Sequence, residues 1–294
     1  MNMSVYGMLL VSSLAIGSIY GLIALGYALI YKSSGLLSFT QGDILTLGAY
    51  LGLTFYSILK IPFVISLILT MACAFALGIL LEKGVIRKLL NKNVGAIYVV
   101  LATIAISYII QNGSQLAWGT IQLNFPSVFS VSNVSIFGVN VRPEALMCFI
   151  VSIALMIVLH FFMTKTRFGT SMRAASMDSM AAESLGIDVS LTTGVSWGLS
   201  AGLAAIAGML IGPIYGVYST LGSTIGRKGF SGAVIGGYGN MYGAMVGGLI
   251  LGVVETFSAS LISSTYRNLI AYALLLIFMF IKPTGLFNER AIQD

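Results

Sequence analysis

Charged side chains are scarce in this sequence. Asp, Glu, Lys and Arg make up 8% of its 294 residues, against 57% hydrophobic ones, whereas a soluble domain carries about 25% charged residues to present a polar surface to water. A water-soluble fold of this composition would have to cover itself with Leu, Ile, Val and Phe, and it would aggregate. In lipid that difficulty disappears. Histidine is nearly missing. The single one, His160, stands at the inner end of an apolar run, reads as an interfacial residue, and excludes a His-rich metal site. Cysteine is limited to Cys73 and Cys148, both in apolar runs, which read as small buried hydrophobes and carry no information on redox compartment. No Walker-type loop, HExxH, GxSxG or CxxC cluster occurs, so no catalytic or metal-binding residue is assigned and no cofactor is expected in the chain. The net charge of +6 comes without a basic tract or aromatic platforms, which argues against nucleic acid. Residues 1–31 hold no charge at all, so a cleavable leader with a basic start is excluded and a retained first span is expected.

What remains is a succession of apolar runs. A helix needs about 20 residues to cross the hydrocarbon, and on that measure residues 8–30, 40–59, 62–82, 95–113, 144–163, 190–212, 230–254 and 265–281 are candidates. The expected fold is an all-α integral membrane protein of about eight transmembrane segments, some of them broken or re-entrant, in one membrane domain over 1–294. Lys83, Arg87, Lys88 and Lys92 punctuate one connection, and Lys165, Arg167 and Arg173 another, while residues 114–141 carry no charge. The basic connections therefore read as inside and the 114–142 loop as outside, with Met1 outside and Asp294 inside. Trp118, Phe125, Pro126, Phe129 and Phe137 and a loose alternation over 130–136 suggest short strands or an interfacial cap in that outer loop. Arg227 and Lys228 contradict the pattern, since they fall on a nominally external connection; either they are an exception or the Gly-rich seventh segment re-enters. Arg267 interrupts the last segment, and a tilted helix with this side chain at the headgroups would accommodate it.

Glycines four apart, at Gly17/Gly21, Gly198/Gly202, Gly208/Gly212, Gly243/Gly247 and Gly248/Gly252, read as surfaces for close helix packing in lipid. Gly35, Gly42, Gly226, Gly229, Gly236, Gly237 and Gly239 cluster near polar residues, and for them an opening in a helix or a solute passage competes with packing. Asp43, after Gln41 and Gly42, is either an acid stabilised by a helix N-terminus or a gating group facing a cavity. Glu255 lies near the end of a long apolar run, where an acid is costly unless paired. It pairs with a cation (Arg227 or Arg267), reaches the interface, or touches solute or a proton.

Four stretches carry a family resemblance. Residues 166–187 include Arg173, Ala174, Ala175, Asp178, Ala181, Ala182, Glu183 and Gly186; the others are 20–31 with the turn Ser38-Phe39-Thr40-Gln41-Gly42-Asp43, the glycine-rich stretch 228–244, and Lys282-Pro283-Thr284-Gly285-Leu286-Phe287. In this order they resemble the permeases of branched-chain amino acid-type ABC importers. Ser38, Lys282 and Asn288 depart from that family's usual Asn, Arg and Gly. The resemblance implies a paired core with a homologous permease subunit, two cytoplasmic ATP-binding subunits that hold ATP and Mg, and an extracytoplasmic solute-binding protein. It also implies a multi-pass protein of the bacterial or archaeal plasma (inner) membrane, carrying branched-chain or other small amino acids, with urea or short amides as relatives' cargo. Residues 164–189 then become a cytoplasmic coupling loop. Small and apolar side chains between Met172 and Leu185, spaced among Arg173, Asp178 and Glu183, fit a short helix lying on a motor subunit, ended by Gly186. Phe39, Gln41, Gly42, Asp43, Gly236, Gly237 and Glu255 become candidates for translocation or gating. The competing readings are an ion-coupled secondary transporter using Glu255 or Asp43, and a passive channel.

Overall fold

A charge-free run lacking an internal breaker should form one long helix, and the first 30 residues do so. In the computed structural model, which describes residues 3–92, 94–129, 134–136 and 139–287, helix α1 spans Met3–Ser34. At about 1.5 Å per residue it is about 48 Å long, more than the hydrocarbon needs. Gly35, at φ +66°, ends it. The chain then turns back in non-helical form over residues 35–40 before α2 begins at Gln41–Leu53, prolonged by a wide turn, Thr54–Ile58. α3 (Phe63–Leu81) continues through another wide turn (Glu82–Ile86) into the four-residue α4 (Arg87–Leu90). α5 spans Ala96–Trp118. Strands β1 (Val134–Ile136) and β2 (Val139–Val141) pair as an antiparallel hairpin, and α6 follows at Pro143–Lys165. A connector of two short helices, α7 (Arg167–Met177) and α8 (Ser179–Ser184), leads to α9 (Val189–Tyr215). Helices α10 (Leu221–Gly236), α11 (Met241–Leu261) and α12 (Arg267–Ile281) complete the bundle.

Among the described residues, seven helices are long and apolar enough to cross a membrane: α1, α3 with α4, α5, α6, α9, α11 and the last, counted from Ser264 to Ile281. The expected second segment is a short helix that starts partway along the bundle. The expected seventh, 230–254, is not one helix. It straddles a turn at Gly237–Asn240, where Gly237 (φ +113°) and Gly239 (φ +101°) reverse the chain. α2 and α10, of 13 and 16 residues, are shorter and fall outside those seven. Eight simple passes would bring both ends of the chain to the same side, so the expected placement of Met1 outside and Asp294 inside does not follow from an eight-pass count. Met1, Asp294, Phe137 and residues 130–133 lie outside the described residues, but Leu286 and Phe287 bond to Ile235 and Gly236 at the basic end of the bundle.

α9 is buried along nearly its whole length and forms the axis. Its small residues let neighbours approach closely. A Cβ on Gly208 would fall 2.0 Å from the Leu45 carbonyl oxygen, and one on Gly48 would fall 2.2 Å from Ala205 Cα. α1 and α11 meet in the same manner, Gly17 and Gly21 against Gly252 and Gly248, so the four-residue spacing is a packing device. The neutral loop covers one end of the bundle: Leu123 pairs with Val217, Trp118 stacks on Tyr50, and Phe125 stacks on Tyr56 and fills the space beside Gly212. Cys148 is buried as expected, whereas Cys73 is exposed on the outer face of α3, because that face meets no other helix.

Candidate functional site

The break between α1 and α2 exposes main chain inside an apolar bundle, so its polar groups must find partners there. They do: the Phe39 N–H donates to Thr103 Oγ1 (3.2 Å), and the Ser38 and Thr40 hydroxyls bond to each other (2.9 Å). Gln41 turns toward α9, where its amide donates to Ser200, whose hydroxyl in turn donates to the Gly26 carbonyl (2.7 Å). Asp43 turns the other way, toward α5, and accepts from Ser107 through Oδ2. α10 closes in from the third side. Gly42 and Gly222 are so near that a Cβ on either would meet the other's carbonyl, and the Gly222 N–H donates to Thr46 Oγ1 (2.8 Å). Between the three helices lies a cavity of about 260 Å³, with Phe39, Gly42, Asp43, Ser107, Gln111 and Arg227 among its lining. The sequence marked Phe39, Gly42 and Asp43. It did not mark Ser107 or Gln111, and it marked Arg227 as a possible partner of Glu255; all three reach this place because α5 and α10 pack against α2.

A second polar centre is buried where α1, α10, α11 and α12 meet. Glu255 Oε1 accepts from Lys228 Nζ (2.7 Å) and Tyr20 Oη (3.2 Å) and forms an ion pair with Arg267, while Oε2 has no hydrogen-bond partner. Arg267 also donates to Tyr215 Oη (3.0 Å) at the end of α9. Glu255 therefore pairs with Arg267, one of the two expected partners. The other partner is Lys228 and not Arg227. Lys228 is on no loop. It sits inside α10 with its ammonium buried, which removes half of the charge anomaly noted in the sequence. Arg267 points inward to this acid instead of to the headgroups. Of the other expected gating positions, Gly236 packs against the Gly243 backbone and Gly237 forms the α10–α11 turn, away from the cavity.

At the basic end, Arg87 bonds Glu82 (2.7 Å) and Ser190, fixing the end of α3 against the start of α9. The 166–187 connector, expected to hold one short helix from Met172 to Leu185, holds two that part at Asp178. Asp178 takes an extended conformation and caps α8 through the Ala181 N–H (2.9 Å), and Thr166 and Asp188 cap α7 and α9 in the same way. Gly186, at φ +81°, closes α8: its N–H bonds the Glu183 carbonyl and the Ile187 N–H reaches back to Ala182. Ala175 and Ala182 face the bundle, whereas Arg173, Asp178, Ala181, Glu183 and Gly186 are exposed and Ala174 is half-buried. Met177, Met180 and Leu185 project into the open, 88%, 78% and 81% exposed. Beside the connector, a cavity of about 220 Å³ brings Arg173 together with Lys32, His160 and Tyr242, whose hydroxyl bonds His160 Nδ1 (2.6 Å).

The sequence as a whole is similar to known proteins. Residues 9–279 match the family described as branched-chain amino acid transport system, permease component. The chain is 30% identical to the high-affinity branched-chain amino acid transport system permease protein BraD of Pseudomonas aeruginosa, over 97% of this chain and 96% of that one. It is 29% identical to LivH of Escherichia coli K12, covering 96% and 95% of the two chains. A probable branched-chain amino acid transport permease of Methanocaldococcus jannaschii is 28% identical over 65% of this chain and 61% of its own.

Proposed function

Because the chain belongs to the branched-chain amino acid transport permease family, we propose that it is a membrane-spanning subunit of a binding-protein-dependent, ATP-driven importer of branched-chain amino acids. It is a multi-pass plasma-membrane protein and not an enzyme in its own right. The partners follow from this reading: a homologous permease subunit, two cytoplasmic ATP-binding subunits and an extracytoplasmic solute-binding protein. Residues 164–189 are the cytoplasmic coupling loop and 114–142 the external one.

The observation that carries the reading is the connector. Met177, Met180 and Leu185 stand exposed on a capped two-helix segment at the basic end, while Ala175 and Ala182 hold that segment to the bundle. Flexible apolar side chains projecting between Arg173, Asp178 and Glu183 fit a groove on a protein partner. Movement of that partner would be passed to α6 and α9, to which the segment is joined by capped ends. Ion coupling loses one candidate here, because Glu255 is held by two cations and a phenol. The coupling test is direct. With the ATP-binding subunits co-expressed, Leu185→Asp or Met180→Asp should abolish their co-purification or reduce stimulated ATP hydrolysis about tenfold or more, the size expected for losing a buried anchor. Exchanging Gly186 for a bulky residue, or reversing Arg173 and Glu183, should have the same effect with membrane insertion intact. Normal stimulated hydrolysis in all of these variants would refute the assignment.

A further inference from the structure

Asp43 is 4% exposed, and only one of its oxygens is bonded; Oδ1 has no hydrogen-bond partner although the residue lines the α2–α5–α10 cavity. A buried carboxylate oxygen without a donor is costly unless something else occupies the space. On the facing helix, Arg227 lines the same cavity. Its neighbour Lys228 is committed to Glu255, while Arg227 itself is exposed between the two ends of α10. A guanidinium at that depth belongs against water, protein or a polar ligand and not against acyl chains. The remaining wall is mixed: Phe39 and Ile104 are apolar, Ser107 and Gln111 polar. At about 260 Å³ the space falls below the range of about 300–1,000 Å³ usual for drug-sized ligands.

We propose that this cavity is a zwitterion-binding station, in which Asp43 takes the ammonium group of a passing amino acid and Arg227 its carboxylate. The proposal rests on the importer reading above and adds the residues that would recognise the cargo inside the membrane. An acid and a base facing one small cavity match a solute that is neutral overall but charged at both ends. The planar guanidinium suits a carboxylate, and the ammonium supplies the donors that Oδ1 lacks. An aliphatic side chain then lies against Phe39 and Ile104. The same arrangement rejects solutes lacking either charge, because each would leave the buried Asp43 or the cavity-lining Arg227 without its partner.

The test uses the complete importer, with partner permease, ATP-binding subunits and binding protein, in proteoliposomes. Radiolabelled leucine uptake and ATP hydrolysis are followed together at saturating loaded binding protein. Arg227→Gln and Asp43→Asn should each lower uptake per ATP hydrolysed about tenfold or more, as expected for one charge-assisted hydrogen bond. Arg227→Lys and Asp43→Glu, which keep the charges, should recover part of it. In the double variant the two losses should multiply, because each group holds a different end of the solute. Arg227 is exposed, so its variant tests the idea even if Asp43→Asn fails to assemble. Unchanged coupling in Arg227→Gln would overturn the proposal. So would a double variant no worse than either single one, which would mean that Asp43 and Arg227 serve each other. A wild-type complex that hydrolyses ATP but accumulates no leucine, isoleucine or valine would instead remove the importer reading, and this proposal with it.

Discussion

Glu255 gathers two hydrogen-bond donors and the Arg267 ion pair on one oxygen, and the two cations around it outnumber its single charge. Removing one partner of such a buried group leaves the others without compensation, at a cost of about 3–5 kcal/mol. Glu255→Gln should therefore lower the thermal stability of the detergent-solubilised protein strongly, since Lys228 and Arg267 would face each other unneutralised. Lys228→Met should behave differently. It takes away the excess cation and leaves the Glu255–Arg267 pair with an apolar neighbour, so a change within about 1 kcal/mol is expected. A thermal-unfolding series comparing the two variants decides the point; equal losses would mean that all three charges are needed together. The acid was conspicuous in the sequence because of its apolar surroundings, whereas Lys228 was not, since a lysine among glycines reads as a loop. The one available signal was its conflict with the charge pattern of the connections.

Helices in this bundle approach over glycine, and the approach is uneven. Gly208 and Gly48 join α9 to α2 at backbone contact, with no room for a side chain. Gly208→Val should prevent that packing and yield aggregated or protease-sensitive protein on size-exclusion chromatography. Gly113, in the middle of α5, has nothing within 4 Å of an added Cβ. Gly113→Ala should be tolerated and even gain about 0.5–1 kcal/mol, because alanine favours the helix. The sequence separates the two only in part: Gly208 belongs to a pair of glycines four apart, Gly113 lies in the polar stretch 111–115, and the neighbour across the interface makes the difference. The connector shows a similar division. Its helical character and its stop at Gly186 follow from local residues. The break at Asp178 is also a local capping effect, but a run of alanines and methionines on either side conceals it.

For the molecule as a whole, the number of passes decides where each connection lies. If 230–254 crossed once, the α11–α12 turn would stand on the same side as the basic connections. The hairpin at Gly237–Asn240 instead returns α11 to the neutral end, where Arg267 meets Tyr215 and Gln122 bonds the Tyr215 carbonyl. With Cys73 and Cys148 replaced by alanine, single cysteines at Ser127, Ser179 and Ser264 should separate these arrangements. A membrane-impermeant thiol reagent added to intact cells should label the first and last and spare Ser179. Labelling of Ser179 with Ser264 protected would reverse the assignment of sides.

The solvent, the all-helical class, most of the long helices, the two basic connections and the end of the connector at Gly186 follow from the residues alone, because hydropathy, charge scarcity and helix-ending glycines are read within a few residues of one another. The sequence also contained the four stretches that tie the chain to its family. Only the tertiary structure decided that 230–254 is a hairpin, that Lys228 is the companion of Glu255 and Arg267, and that Asp43 and Arg227 border one cavity. Those outcomes depend on which glycine faces which backbone. In lipid, where apolar surface has the same solvent on every side, close contact and the partnering of buried polar groups select the packing; glycines four apart show that a surface packs closely, but not which helix it meets.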